Sequence, residues 1–123
     1  MPLSNPIAIF RSFDETKARE FYCGYLGFHV DFEHRFTPDA PLYMQVSRDG
    51  VALHLSEHHG DATPGSTLRI ETDDIEALHQ ELASKNYKFA RPGILDQDWG
   101  FREMIIADPF GNKIVFAQVS KTT

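Results

Sequence analysis

The sequence is poor in the features that mark several large classes of protein. It has one cysteine, Cys23, so no disulfide can form within the chain. No apolar run approaches the roughly 18 residues that suggest a membrane span. The first residues, MPLSNP, lack the basic segment and apolar core of a signal peptide. We therefore expect a cytoplasmic protein, because that compartment keeps thiols reduced.

Basic residues are also scarce. There are 12 Lys and Arg against 18 Asp and Glu, and the net charge is −6. The excess of acidic over basic residues disfavours nucleic acid or an anionic membrane as a partner and favours a cationic small molecule. The sequence has no Gly-x-Gly-x-x-Gly or Walker-type loop and no Gly-x-Ser-x-Gly elbow. We accordingly predict no cofactor and no catalytic residue.

The first half of the chain predicts one strand, one helix and three more strands. Alternating polarity over 6–13 indicates the first strand. Asp14 is placed to cap a helix that ends at Gly27. Three further runs predict strands: 29–36, 42–47 and 51–56.

The same order then restarts after a short segment of turn-forming residues, 58–65 (HHGDATPG). The second half predicts, in order, a strand at 66–72, a helix capped by Asp73 or Asp74, a short strand at 87–90, a loop at 91–98 and a β-hairpin. Met44 and Met104 are 60 residues apart, as are Asp14 and Asp74. We therefore predict an internal duplication.

The hairpin lies in residues 99–116 (WGFREMIIADPFGNKIVF). Its strands are 104–107 and 114–117, and Pro and Gly between them favour a tight turn. A Trp-Gly pair before a strand, then Arg-Glu and an Asp-Pro-x-Gly-Asn turn, resembles the vicinal oxygen chelate superfamily. That superfamily includes glyoxalases, bleomycin resistance proteins and extradiol dioxygenases, and the bleomycin resistance branch is the most similar.

The resemblance implies an α+β fold of two tandem βαβββ modules whose curled mixed sheets form an open cup. The modules would be 6–57 and 66–119, joined by the linker 58–65 within a single domain, 1–123. Helix and turn spacing carry the resemblance in the first half, and the 99–116 motif carries it in the second.

Enzymes of this superfamily hold a divalent metal with side chains from the first and last strands of each module. By their spacing along the sequence, those positions correspond to Ile7, His54, Thr67 and Val115. Such metals need three or four N, O or S donors, which isoleucine and valine cannot supply. A local set of His54, Glu57 and His58 is the alternative, but strand alternation puts Glu57 on the opposite face. We predict no metal site.

Alternation also divides the strand residues between a core and the cup. The predicted core residues are Leu53, Leu55, Leu68, Ile70, Ile114 and Phe116. The predicted cup residues are Ile9, Arg11, Tyr43, Gln45, His54, Arg69, Glu71, Glu103, Ile105 and Val115. The charged residues among them have an alternative role, which is to pair with each other across the sheet.

The predicted ligand-binding residues combine part of this cup with aromatic and acidic residues at its mouth. They are Trp99, His54, Glu103, Arg69, Tyr43, Phe36, Phe32 and Asp98. Phe101 is a further candidate for the mouth. Trp99 stands next to Asp96 and Asp98 in the chain, and aromatic rings beside carboxylates suit a flat, cationic ligand.

The resemblance implies a homodimer that sequesters a small, cationic, bleomycin-like antibiotic without chemistry, in clefts at the dimer interface. One alternative is a metal-dependent enzyme similar to glyoxalase (lactoylglutathione lyase) or to a dioxygenase. Another is a domain with no ligand beyond its dimer partner. The poor donors at Ile7, Thr67 and Val115 favour a protein that is not an enzyme.

Overall fold

The computed structural model describes residues 2–120. Residue 1 and residues 121–123 of the predicted single domain therefore lie outside the described range. The chain divides into two compact units, and the boundary falls between Pro64 and Gly65, within the predicted linker. Each unit contains one four-stranded sheet, and neither sheet is closed.

The first unit contains a helix and four strands. The strands are β1 (Ala8–Arg11), β2 (His29–His34), β3 (Tyr43–Arg48) and β4 (Val51–Ser56). Their order in the sheet is β1-β4-β3-β2. β1 runs parallel to β4, and the other pairs are antiparallel. All four strands agree with the predicted ones to within a few residues.

The helix of the first unit begins as predicted but widens along its length. The carboxylate of Asp14 caps α1 (Glu15–Ala18) by accepting a hydrogen bond from Lys17 N at 2.9 Å. The chain then continues as a π-helical segment (Arg19–Tyr25). The adjacent rings of Phe21 and Tyr22 are both fully buried, in edge-to-face contact at 4.8 Å. The buried side of the helix consists of Ala18, Phe21, Tyr22, Tyr25 and Leu26.

The second unit repeats this order of elements. It contains β5 (Thr67–Glu71), α2 (Ile75–Ser84), β6 (Ile94–Asp96), β7 (Phe101–Ala107) and β8 (Lys113–Val119). The sheet order is β5-β8-β7-β6, with β5 parallel to β8. Of the two predicted caps for α2, Asp74 is the one used, since it accepts a hydrogen bond from Ala77 N at 3.0 Å. The α+β fold of two βαβββ modules is confirmed.

One strand of the second unit was predicted in the wrong place. Residues 87–90 form no strand, and β6 lies within the predicted loop 91–98. Tyr87 and Phe89 contact each other locally, with their rings 5.6 Å apart. Ile94 instead pairs with Met104 on the hairpin. Residues 87–90 therefore lie in a turn region, because β7 pairs with residues 94–96, which follow them in the chain.

The hairpin turn is tied by one buried carboxylate. Asp108 accepts hydrogen bonds from Phe110 N and Asn112 N, both at 2.8 Å. Gly111 has φ 91°, which glycine adopts without strain. The predicted strands of the hairpin are confirmed, and each is longer than predicted.

The predicted division of strand faces is confirmed in both units. Leu53, Leu55 and Ile114 are almost completely buried on the helix side of their sheets. Leu68 and Ile70 share that side but are only half-buried. They lie on the edge strand β5, whereas α2 packs over β6, β7 and β8. We call the side opposite the helix the open face of each sheet.

Among residues 2–120, no helix combines the length and the apolar character that crossing a bilayer requires.

Candidate functional site

His54 lies in the middle of the open face of the first unit. It stands on β4 between Ile9 of β1 and Gln45 of β3, which are its partners in the strand register. Since β4 is an interior strand of the sheet, neighbours on both sides restrict the imidazole, which is half-buried.

The imidazole belongs to a chain of hydrogen bonds that we call the His54 network: Tyr43, His54, Gln45 and Asp31. Tyr43 Oη lies 2.6 Å from His54 Nδ1, and His54 Nε2 lies 2.9 Å from Gln45 Oε1. Gln45 Nε2 donates to Asp31 Oδ2 at 2.9 Å. Both ring nitrogens of His54 therefore have partners within the unit.

Two members of this network have perturbed acidity. Burial, and secondly the negative charge of Asp61, raise the pKa of the Tyr43 hydroxyl. The hydrogen bond from Gln45, and secondly one from Ser47, lower the pKa of Asp31. The network thus keeps a proton on the phenol and a charge on the carboxylate.

Aromatic rings surround His54. Phe32 and Tyr43 meet the imidazole edge-to-face, with ring centres 5.7 and 5.1 Å away. Phe36 stands further out, 76% exposed, and contacts the rings of His34 at 4.8 Å and His58 at 5.9 Å. The structure thus brings together the four predicted site residues of the first half of the chain, which are Phe32, Phe36, Tyr43 and His54.

A second polar group, which we call the Glu103 cluster, occupies the open face of the second unit. It comprises Glu103, Arg69, Gln97, Trp99 and Phe101. Glu103 is only 5% exposed. Arg69 Nη1 lies 2.5 Å from Glu103 Oε2, and Gln97 Nε2 donates to Glu103 Oε1 at 3.2 Å. The guanidinium carbon of Arg69 also lies 4.7 Å from the centre of the Phe101 ring.

These partners lower the pKa of Glu103. The hydrogen bond from Arg69 is the largest cause, and bonds from Gln97 and from the Trp99 side chain add to it, while burial opposes them. For Arg69 and Glu103, the alternative of a charge pair across the sheet is therefore realised. Both carboxylate oxygens have donors supplied by the protein itself.

Trp99 lies in the turn between β6 and β7, where Gly100 has φ 89°. It contributes to the lowered pKa of Glu103, yet 63% of the residue is exposed. The indole therefore lies beside a buried carboxylate while much of its surface faces solvent. Asp98, the next residue back, is also exposed.

Asp96 does not join this turn as the sequence suggested. It alternates to the helix side of β6, where its carboxylate accepts from Arg102 Nε at 3.0 Å. Arg102 Nη1 also lies 2.9 Å from Glu76 on α2. Asp96 is therefore part of a surface charge network, because its strand position points it away from the open face that Leu95 shares with Glu103.

The metal-binding positions of the superfamily do not fit a metal here. Ile7 and Val115 have hydrocarbon side chains, and both nitrogens of His54 already take part in hydrogen bonds. In the local alternative, Glu57 is directed to the backbone, where its Oε1 accepts from Leu42 N at 3.1 Å. Within residues 2–120, no three His, Cys, Asp or Glu side chains gather as a metal site requires.

Sequence reasoning missed two members of these groups. Asp31 reaches Gln45 because the register of β2 against β3 shifts between Val30 and Phe32. No sequence signal marks that irregularity. Gln97 was overlooked because β6 was misplaced, and correct placement of that strand would have put it beside Glu103.

Two four-stranded mixed sheets, each with a helix on one face, define the glyoxalase/bleomycin resistance fold. The chain belongs to the glyoxalase superfamily, since the model of the family described as "Glyoxalase superfamily protein" matches residues 2–122.

Solved structures of the same fold include proteins that bind antibiotics. TnmS3, an antibiotic binding protein from Streptomyces sp. CB03234, is 26% identical, with a TM-score of 0.70 over 98% of this chain and 99% of its own. A bleomycin-binding protein solved in complex with bleomycin is 20% identical, with a TM-score of 0.70 over 94% and 98%. A glyoxalase family protein from Enterococcus faecalis is 15% identical, with a TM-score of 0.68 over 90% and 94%. No curated protein matches the chain.

Proposed function

We propose that this protein binds a small, flat, cationic antibiotic of the bleomycin type and sequesters it without chemistry. The observation that carries the proposal is the exposure of Trp99 beside the buried Glu103. Trp99 is among the groups that lower the pKa of Glu103, and 63% of the residue is exposed. An exposed indole offers a large flat surface on which a planar ligand can stack.

The polar groups of both open faces support binding rather than catalysis. A general base needs an atom within reach of a substrate proton, and a nucleophile needs an adjacent base. His54 has both nitrogens in the network, and Glu103 has both oxygens in its cluster. Substrate would have to displace internal partners before either residue could act.

The ligand's character follows from rings and charge. Phe32, Phe36 and Trp99 are exposed aromatic residues, each on or beside an open face. Such rings attract planar groups and cations through their faces. The net charge of −6 favours the approach of a cation. Antibiotic binding by TnmS3 and by the bleomycin-binding protein agrees with this choice.

Titration of the single tryptophan with metal-free bleomycin tests the proposal. We expect quenching or a spectral shift of Trp99 fluorescence that saturates at one ligand per chain, with heat of binding in calorimetry. The Trp99→Phe variant controls for emission from the ligand and from the four tyrosines, because it has no tryptophan emission. A flat signal up to millimolar bleomycin, together with no heat, would exclude this ligand and leave the family assignment intact.

A further inference from the structure

The hydrogen bonds of the His54 network can run in only one direction. The carboxylate of Asp31 offers acceptors alone, so the Gln45 amide must present its nitrogen to it, at 2.9 Å. The Gln45 oxygen then faces His54 Nε2, which must carry a proton. In a singly protonated ring, Nδ1 is therefore the acceptor, and the Tyr43 hydroxyl donates to it.

This direction determines what Tyr43 can offer to a ligand. The hydroxyl has one proton, and that proton lies in the 2.6 Å bond to His54. Only lone pairs of the oxygen are left for a third group. A ligand group that approaches Tyr43 Oη must therefore be a hydrogen-bond donor.

Asp61 adds a second acceptor next to the tyrosine. Its Oδ2 receives a hydrogen bond from Ser56 Oγ at 2.6 Å, and that hydroxyl in turn accepts from His58 N at 3.1 Å. Ser56 is fully buried and opposes Tyr43 in the strand register. Through Ser56, Asp61 is bonded to the strand position opposite Tyr43, and the charge of Asp61 raises the pKa of the Tyr43 hydroxyl.

We propose that Tyr43 and Asp61 form a subsite in the first unit for a positively charged group that donates hydrogen bonds, such as a primary ammonium. The rings of Phe36 and His58 flank it, with centres 5.9 Å apart, and the Tyr43 ring lies 6.5 Å from that of His58. The subsite rests on the proposed binding function, since it names the ligand group that this face recognises.

The direction of the network can be tested without any ligand. Long-range ¹H–¹⁵N spectra at alkaline pH should place the single imidazole proton of His54 on Nε2. Asp31→Asn should produce a mixture of tautomers, because an asparagine can either donate to Gln45 or accept from it. Asp39→Asn, at another exposed aspartate, should change nothing. A proton on Nδ1 in the unmodified protein would overturn the inference.

The subsite itself is tested with two probes of equal charge, benzylammonium and benzyltrimethylammonium. Only the first can donate hydrogen bonds, although both carry the same ring. The backbone amide signals of residues 43, 54 and 61 report binding of each probe. Benzylammonium should bind about tenfold more tightly than the quaternary probe, because one charge-assisted hydrogen bond contributes about that much affinity. Equal binding, stronger binding of the quaternary probe, or no response to millimolar benzylammonium would each overturn the proposal.

Variants assign the preference to its two acceptors. Tyr43→Phe keeps the ring and removes one of the two acceptors, so it should reduce the preference for benzylammonium. Asp61→Asn keeps an acceptor for Ser56 and removes the charge, so it should weaken both probes. Tyr87→Phe, at a tyrosine outside the network, is the matched control and should leave both affinities unchanged. A preference that Tyr43→Phe leaves undiminished would contradict the assignment.

The two proposals fail in different ways. Bleomycin binding without a preference for benzylammonium would remove the subsite and keep the proposed function. A preference that depends on Tyr43, without bleomycin binding, would keep the subsite and direct the search to another amine.

Discussion

Arg69 reaches across strand β8 to the carboxylate of Glu103, with Nη1 2.5 Å from Oε2. Ala117, a small residue, stands directly opposite Glu103 on β8, the strand between the two that carry the pair. Arg69 is the largest cause of the lowered pKa of Glu103, and Trp99 is a smaller one. The ion pair on the sheet therefore lies beside Trp99, which is 63% exposed.

The Glu103 cluster should make stability depend on pH. Arg69 lowers the pKa of Glu103 in the folded state. The ionised Glu103 therefore contributes fully to the free energy of unfolding above its pKa in the unfolded chain, about 4.3. This contribution is lost as the pH falls through the lower pKa of the folded state. In urea unfolding, Glu103→Gln should be less stable at pH 7 and should lose less stability on acidification than the unmodified protein.

Glu71→Gln is the matched control for this measurement, because Glu71 lies on the same open face and is exposed. Its acid profile should follow that of the unmodified protein. If Glu103→Gln also ran parallel to the unmodified protein from pH 7 to pH 3, the carboxylate would not be held as described.

Trp99 should contribute to ligand affinity through its ring. Trp99→Ala removes the stacking, worth about 0.5–1.5 kcal/mol beyond the buried area, together with the area itself. We expect bleomycin affinity to fall tenfold or more, at about 1.4 kcal/mol per tenfold. Trp99→Phe should retain most of it. Calorimetry measures both variants, and equal affinity of Trp99→Ala and the unmodified protein would exclude stacking on this ring.

Asp98 and Asp96 should differ in their effect on binding. Asp98 is exposed beside Trp99, whereas Asp96 is paired with Arg102 on the helix side of the sheet. Asp98→Asn should weaken bleomycin binding at low salt, and the effect should fade near 0.1 M, where charges are screened over about 10 Å. Asp96→Asn is the matched control and should have the smaller effect. The reverse order would place the ligand on the helix side.

The protein should hold no stoichiometric metal. Ile7 and Val115 provide no donor atom, and His54 is already hydrogen-bonded at both nitrogens. Elemental analysis after separate incubation with Zn, Mn, Ni and Fe(II), followed by dialysis, should find far less than one ion per chain. One retained ion per chain, with hemithioacetal isomerisation or ring cleavage, would favour the enzyme alternative.

The protein should form a homodimer. Ile9 and Ile105 are exposed apolar residues on the open faces of their sheets, and a two-fold partner would remove such surface from water. Light scattering at micromolar concentration should give about twice the chain mass of 14.0 kDa. A monomer at that concentration would argue against ligand clefts shared between two chains.

Much of the fold was predictable because it depends on local chemistry. Asp14 and Asp74 cap their helices through their own side chains, and the Asp108 turn is tied within five residues. Strand alternation is equally local, so Tyr43, Gln45 and His54 could be assigned to one face. These features need no knowledge of distant residues. The duplicated βαβββ order followed from them.

The errors arose where a distant partner decides the outcome. Residues 87–90 are as apolar as a strand, but Met104 and Glu103 pair with Ile94 and Leu95 instead. The irregularity of β2 at Asp31 depends on its register against β3. One misplaced strand moved Asp96 to the wrong face of the predicted site and left Gln97 out of it.

The sequence by itself determined the family, the two modules and the residue types on each open face, because period and turn chemistry are written in neighbouring residues. Only the tertiary structure decided which polar atoms satisfy each other. Tyr43, His54, Gln45 and Asp31 come from three strands, and Arg69, Gln97 and Glu103 come from segments up to 34 residues apart. Hydrogen bonds depend on distance and direction in space, so their partners are settled only when the strands have paired.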